Sequence, residues 1–172
     1  MRKLINNIDR VQTWIEENLL FLLLVLMLGA NFFSLLNRYI FQEGIAWGEE
    51  LPRYLLIWAT FIGGSYGIKK GIHITVDILI IYLSEKKKKY VRAISYSISI
   101  LFCLSLLWVG LPYIINIAAT NQLSPGMQLP MYWLYLSVVV GSFMMMSRLI
   151  ILFVRDVIYK EEIESEDAMK ID

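Results

Sequence analysis

Apolar residues in this chain come in long blocks separated by short charged stretches. Blocks at about 19–41, 51–68, 91–117 and 130–154 predict membrane spans. A helix rises ~1.5 Å per residue, so ~20 residues cross a hydrocarbon core of ~30 Å. A helix of a soluble core would carry a polar face that interrupts such runs. Ahead of the first block, Leu4, Ile5, Ile8, Val11, Trp14 and Ile15 recur at helical spacing, with Arg2, Lys3, Asp9 and Arg10 elsewhere. That pattern predicts a short amphipathic helix over 1–18, lying on the membrane surface. Residues 72–83 are apolar but too short to cross, and predict an interfacial helix. Glu85 to Lys89 then form a dense basic connection. The stretch 118–129 has no charge, and Ser124-Pro125-Gly126 with Pro130 marks a turn leading into a helix start. The pattern predicts an all-α integral membrane protein: four transmembrane helices in one domain, an N-terminal amphipathic helix, and a charged tail over 155–172.

Composition agrees with the pattern. The 172 residues are 58% hydrophobic, above the ~45–50% of soluble domains. The basic start is compatible with a signal peptide, but the apolar block that follows is too long and no A-x-A-like site ends it. The first span is therefore expected to stay.

Charge placement sets the expected orientation. Arg2, Lys3 and Arg10 precede the first span; Lys69, Lys70, Lys86 to Lys89 and Arg92 lie between the second and third; Arg155 and Lys160 follow the fourth. The loop after the first span has only Arg38 and Arg53, and the loop after the third has none. Positive charge stays cytoplasmic, so both termini are expected in the cytoplasm. Trp14, Trp133, Lys69, Lys70, Lys86 and Lys87 are the expected anchors at the membrane surfaces.

Several chemistries are excluded. One histidine cannot form a bis-histidine haem site, and no His/Cys cluster suits zinc. The single cysteine, Cys103, cannot form an internal disulfide. GIKKG is not a phosphate-binding loop, and no nucleophile–base arrangement is present. No cofactor, no metal and no enzymatic activity are expected. A proton-coupled carrier needs an ionisable group at membrane depth. The carboxylates nearest the spans, Glu49, Glu50 and Asp77, all sit near span ends. The chain is therefore not expected to move a solute by itself.

The charged stretch 37–77 is the candidate site. Glu49 and Glu50 stand four and three residues before Arg53, the spacing of helical ion pairs. They either pair within the helix or face a partner. His73 and Asp77, four apart, pose the same choice. Arg38 suits a cation reaching out from a helix end. Asn31, Ser34 and Asn37 share a helical face that favours another helix over lipid. Gly63, Gly64 and Gly67 offer a thin face for close helix contact. Pro52 fits a first helical turn.

Arg38-Tyr39-x-Phe41, Trp47-x-Glu49-Glu50, Arg53-Tyr54, Trp58, Gly63 and Gly71-x-His73-Ile74-x-Val76-Asp77 resemble the small membrane subunit of TRAP transporters, the tripartite ATP-independent periplasmic transporters. Ser124-Pro125 and Pro130-Met131 fit the same pattern, and the resemblance spans about 10–155. Pro52 departs from the small or aliphatic residue of the pattern. The resemblance implies a subunit of the bacterial inner membrane. It would scaffold a larger multi-span subunit holding the substrate and sodium sites. A periplasmic binding protein would deliver an organic anion of C4-dicarboxylate or sialic acid type. The charged tail suggests the separate rather than the fused form. It implies a partner interface at Arg38, Trp47, Glu49, Glu50, Arg53, Gly63, Gly64, Gly67, His73 and Asp77. Two other readings stay open: a stand-alone four-helix exporter, which would need an acid in its first span, and the membrane anchor of another complex.

Overall fold

Nothing between Arg2 and Ile40 stops a helix: the stretch has no proline and one glycine, Gly29. In a computed structural model it forms one unbroken helix of 39 residues, α1 (Arg2–Ile40). The structure describes residues 2–42, 44–70 and 85–154, with side chains at 6–42, 44–70 and 90–154. The predicted surface helix over 1–18 and the first span are therefore one element. Glu16, Glu17 and Asn18 interrupt the apolar pattern, but they are not helix breakers. The helix ends where Gln42 turns left-handed, with φ 54°.

Three helices follow: α2 (Glu50–Lys69), α3 (Glu85–Ala119) and α4 (Tyr132–Phe153). The basic run at Glu85 to Lys89, expected as a connection, is the start of α3. The expected helix at 72–83, with His73 and Asp77, lies outside the described residues. So do the tail 155–172 and the side chains of Lys86 and Lys87. The fold is all-α, and among the described residues the only strand-like pairing is an isolated bridge between Leu123 and Pro130.

Four spans were expected. Among the described residues, three helices are long and apolar enough to cross a membrane, within Asn6–Ile40, Tyr90–Ala119 and Tyr132–Phe153. Helix α2 is not among them, because its 20 residues carry Glu50, Arg53 and Lys69 beside three glycines. Its place in the fold explains why it needs less apolar surface. It packs against α1 on one side and α4 on the other, and α4 packs against α3. Helix α1 comes close to α4 at few positions, and α3 approaches neither α1 nor α2. The helices thus stand in a row, α1–α2–α4–α3, one helix thick, with α2 flanked on both sides.

Small residues set the spacing within the row. Lipid tails are as apolar as leucine, so close packing rather than water exclusion holds such helices together. A Cβ at Gly141 of α4 would overlap the Cβ of Phe61 of α2, 2.4 Å away. A Cβ at Gly64 would stand 3.1 Å from Met145 Sδ, and one at Gly63 3.5 Å from Leu20 of α1. Leu23, Ala59 and Ile62 form the core between α1 and α2, with Trp58 and Met144 against them. Tyr113 of α3 meets Tyr135 of α4 edge-on, ring centroids 5.0 Å apart.

Candidate functional site

The face of α1 towards α2 is polar, then apolar, then polar. Gln12, Thr13 and Glu16 come first, Leu20 and Leu23 next, and Ser34 last. Helix α2 answers in reverse, because the two run antiparallel: Lys69 lies beside Thr13 and Gly63 beside Leu20, and Gly48, just ahead of α2, lies beside Ser34. Polar chemistry therefore collects at two ends of the row.

One end is a closed ionic clamp. Arg148 of α4 is completely buried and pairs with Asp9 and with the equally buried Glu16, both on α1. Ser65 of α2 donates to Glu16 Oε1 at 2.6 Å. Gln12 donates to the same oxygen at 2.8 Å and to the Met144 carbonyl at 3.0 Å. Lys69 completes the clamp, 3.3 Å from Asp9. Each charge has an opposite partner at hand. This is the condition for burying charge, since an unpaired buried ion costs several kcal/mol. The sequence reading did not single out Arg148, Glu16 or Asp9. The signal was there: one arginine within an otherwise apolar block requires a carboxylate nearby.

The other end holds the charged residues of the predicted site that the structure describes, Arg38, Glu49, Glu50 and Arg53. Arg38, Glu49 and Arg53 are exposed and line a cavity of about 910 Å³ with Asn31, Ser34 and Gly126. Among the described residues, no ion pair joins Arg53 to Glu49 or Glu50. Glu50 is held instead by a loop 76 residues away: Gly126 N–H donates to Oε1 at 2.9 Å and Met127 N–H to Oε2 at 2.8 Å. The bond from Gly126 does most to hold the Glu50 carboxyl below its usual range. Partial burial opposes it, and Met127, Ser124 and Arg53 add to it. The loop is shaped for this. Ser124 N–H donates to the Leu129 carbonyl at 2.8 Å, and Gln128 is left-handed at φ 54°. A Cβ at Gly126 would collide with the Ala46 carbonyl, so the approach needs glycine.

The remaining predicted residues are spread along the row. Trp47 stacks on Phe33, ring centroids 6.0 Å apart. Gly63 and Gly64 face Leu20 and Met145 within the chain, and Gly67 is half-buried on α2. Of the expected anchors, Trp14 is exposed, Lys69 belongs to the clamp and Lys70 lies 5.4 Å over the Tyr66 ring. Trp133 is half-exposed, and its carbonyl accepts from Trp58 Nε1 at 3.2 Å. Among the described residues no group of His, Cys, Asp and Glu could hold a metal ion.

Residues 24–158 match the family model of the DctQ component of tripartite ATP-independent periplasmic transporters. A putative TRAP transporter small permease protein of Haemophilus influenzae is 31% identical over 126 residues, covering 73% of this chain and 75% of that protein. The C4-dicarboxylate TRAP transporter small permease protein DctQ of Rhodobacter capsulatus is 29% identical over 60% of this chain, and the match spans 46% of that protein. The isethionate TRAP transporter permease protein DctMQ of Oleidesulfovibrio alaskensis is 32% identical over 69% of this chain but only 20% of its own length. With the all-α fold and its apolar helices, these likenesses place the chain as a multi-pass protein of the inner membrane, a permease component and not an enzyme. It belongs to the DctQ family, the DctQ component of tripartite ATP-independent periplasmic transporters.

Proposed function

We propose that this chain is the fixed support of a sodium-coupled TRAP transporter that takes up an organic anion of C4-dicarboxylate or sialic acid type. The observation that carries this is the closed clamp. The buried charges on the transmembrane helices, Glu16 and Arg148, are bound to each other and to groups of the same chain. A solute or coupling ion would have to displace bonds that hold three helices together. Such groups suit a rigid part against which a neighbour moves.

In this reading the clamp end faces the cytoplasm, where the basic residues concentrate, and both termini lie there. The end with Arg38, Glu49 and Arg53 faces the periplasm. Its cavity and the loop around Gly126 flank the place where the substrate-binding protein docks. Arg38, Trp47, Glu49 and Arg53 contact partner subunits, while Glu50 braces the loop that frames them.

The test is uptake into vesicles that hold the large subunit, with binding protein and a sodium gradient supplied. Uptake is expected only when this chain is reconstituted too. Full uptake without it refutes the support role.

A further inference from the structure

Both edges of the row are open, and their apolar lengths differ. On α3 the exposed apolar side chains run from Ile94 to Ile115, and the helix turns basic beyond them, at Arg92 and Lys89. That length is about 32 Å, which matches a hydrocarbon core of ~30 Å. On α1 one exposed stripe runs Ile8, Val11, Ile15, Leu22, Leu26, Phe33, Leu36 and Ile40, spaced three, four or seven apart. Its length is about 48 Å, well beyond what lipid tails cover.

Tilt does not remove the excess. Spanning helices seldom lean beyond about 40°, which shortens 48 Å to about 37 Å. Helix α2 lies alongside α1 from Lys69 to Gly63, and the turn just ahead of it returns to α1 at Gly48, so α2 would lean with α1. Its length of about 30 Å would then cover only about 23 Å. At the clamp end the stripe continues into an apolar groove of about 480 Å³ between α1 and α4, walled by Ile8, Val11, Ile15, Phe143 and Met144. An apolar stripe longer than the hydrocarbon core is thick needs a protein cover over its excess.

We infer that α1 is the edge that joins the large permease subunit, along its whole stripe and the adjoining groove, and that α3 faces lipid. This rests on the partnership with the large subunit described above. The spacing of the stripe suits an apolar helix laid alongside it.

The test places a photoreactive benzoylphenylalanine at Ile8, Val11 or Ile40 on α1, and at Ile94, Trp108 or Ile115 on α3. All six positions are exposed, so the fold should tolerate them. The chain is tagged, co-expressed with an epitope-tagged large subunit, and irradiated in membranes. Adducts carrying the epitope are expected from both ends of α1 and none from α3. With co-purification intact, three results overturn the inference: adducts from α3, α1 adducts at twice this chain's mass, or no α1 adduct with the large subunit. If the large subunit does not co-purify with the unlabelled chain, the support role itself fails and this inference falls with it.

Discussion

Arg148 and Glu50 show how single side chains hold the row together. Arg148 has no exposure and two carboxylate partners. Replacing it by methionine leaves Glu16 buried and unpaired, so Arg148→Met is expected to destabilise by about 3–5 kcal/mol. Adding Glu16→Gln and Asp9→Asn should recover much of that, because no buried charge then stands alone. Unfolding followed by circular dichroism in rising dodecyl sulfate measures both; equal loss in the single and triple variants would contradict the clamp. Glu50 makes an acid-side prediction. Its carboxyl is lowered in the folded chain, chiefly by the Gly126 N–H. The attachment therefore contributes stability above the ordinary glutamate pKa and loses it as pH falls through the lowered one. The melting temperature of Glu50→Gln should fall less steeply across that acid window than that of the unaltered chain. Parallel curves would show that the loop bond contributes nothing. The role of Glu50 was not legible in the sequence, and Arg148 gave only the sign that a carboxylate must lie near it. The spacing to Arg53 suggested a local pair for Glu50, and its real partner lies in a distant loop. The pattern of small and polar residues marked which positions matter, but not which of them meet.

At the scale of elements, α1 is where pattern reading and structure part. Residues 1–18 read as amphipathic, and the polar side was assigned to water. Asp9, Gln12 and Glu16 of that segment face α2 and α4 instead, where they find Lys69, Ser65 and Arg148, while Arg10 and Glu17 are exposed. Helices α3 and α4 were legible as long apolar helices, since such runs leave few alternatives. Helix α2 was legible as a helix, but its shelter between α1 and α4 is a tertiary fact that hydropathy does not carry. One alanine inserted after Glu17 tests the continuity of α1. It turns everything before it by about 100° relative to Leu20 and Leu23. The clamp should open, with a loss of stability close to that of Arg148→Met. The same insertion ahead of Asn6 leaves the clamp in register and should have little effect. Equal tolerance of both insertions would mean that the first third of α1 is not bound to the row.

At the scale of the whole molecule, the described helices form a row one helix thick, with two broad faces and, among the described residues, no core enclosed between all of them. Such a layer stabilises itself by close contacts at glycine and by charge closed off at one end, and it leaves large surfaces for lipid and for a partner. The account depends on this layer keeping its shape while the large subunit moves solute. Spin labels at Phe21→Cys on α1 and Ile98→Cys on α3, with Cys103→Ser, measure it directly by electron–electron distance spectroscopy in the assembled transporter. A fixed support gives one distance distribution, the same in the empty complex and during sodium- and substrate-driven turnover. A shift between those states of more than about 2 Å, the scale of a helix displacement at a moving interface, would contradict it.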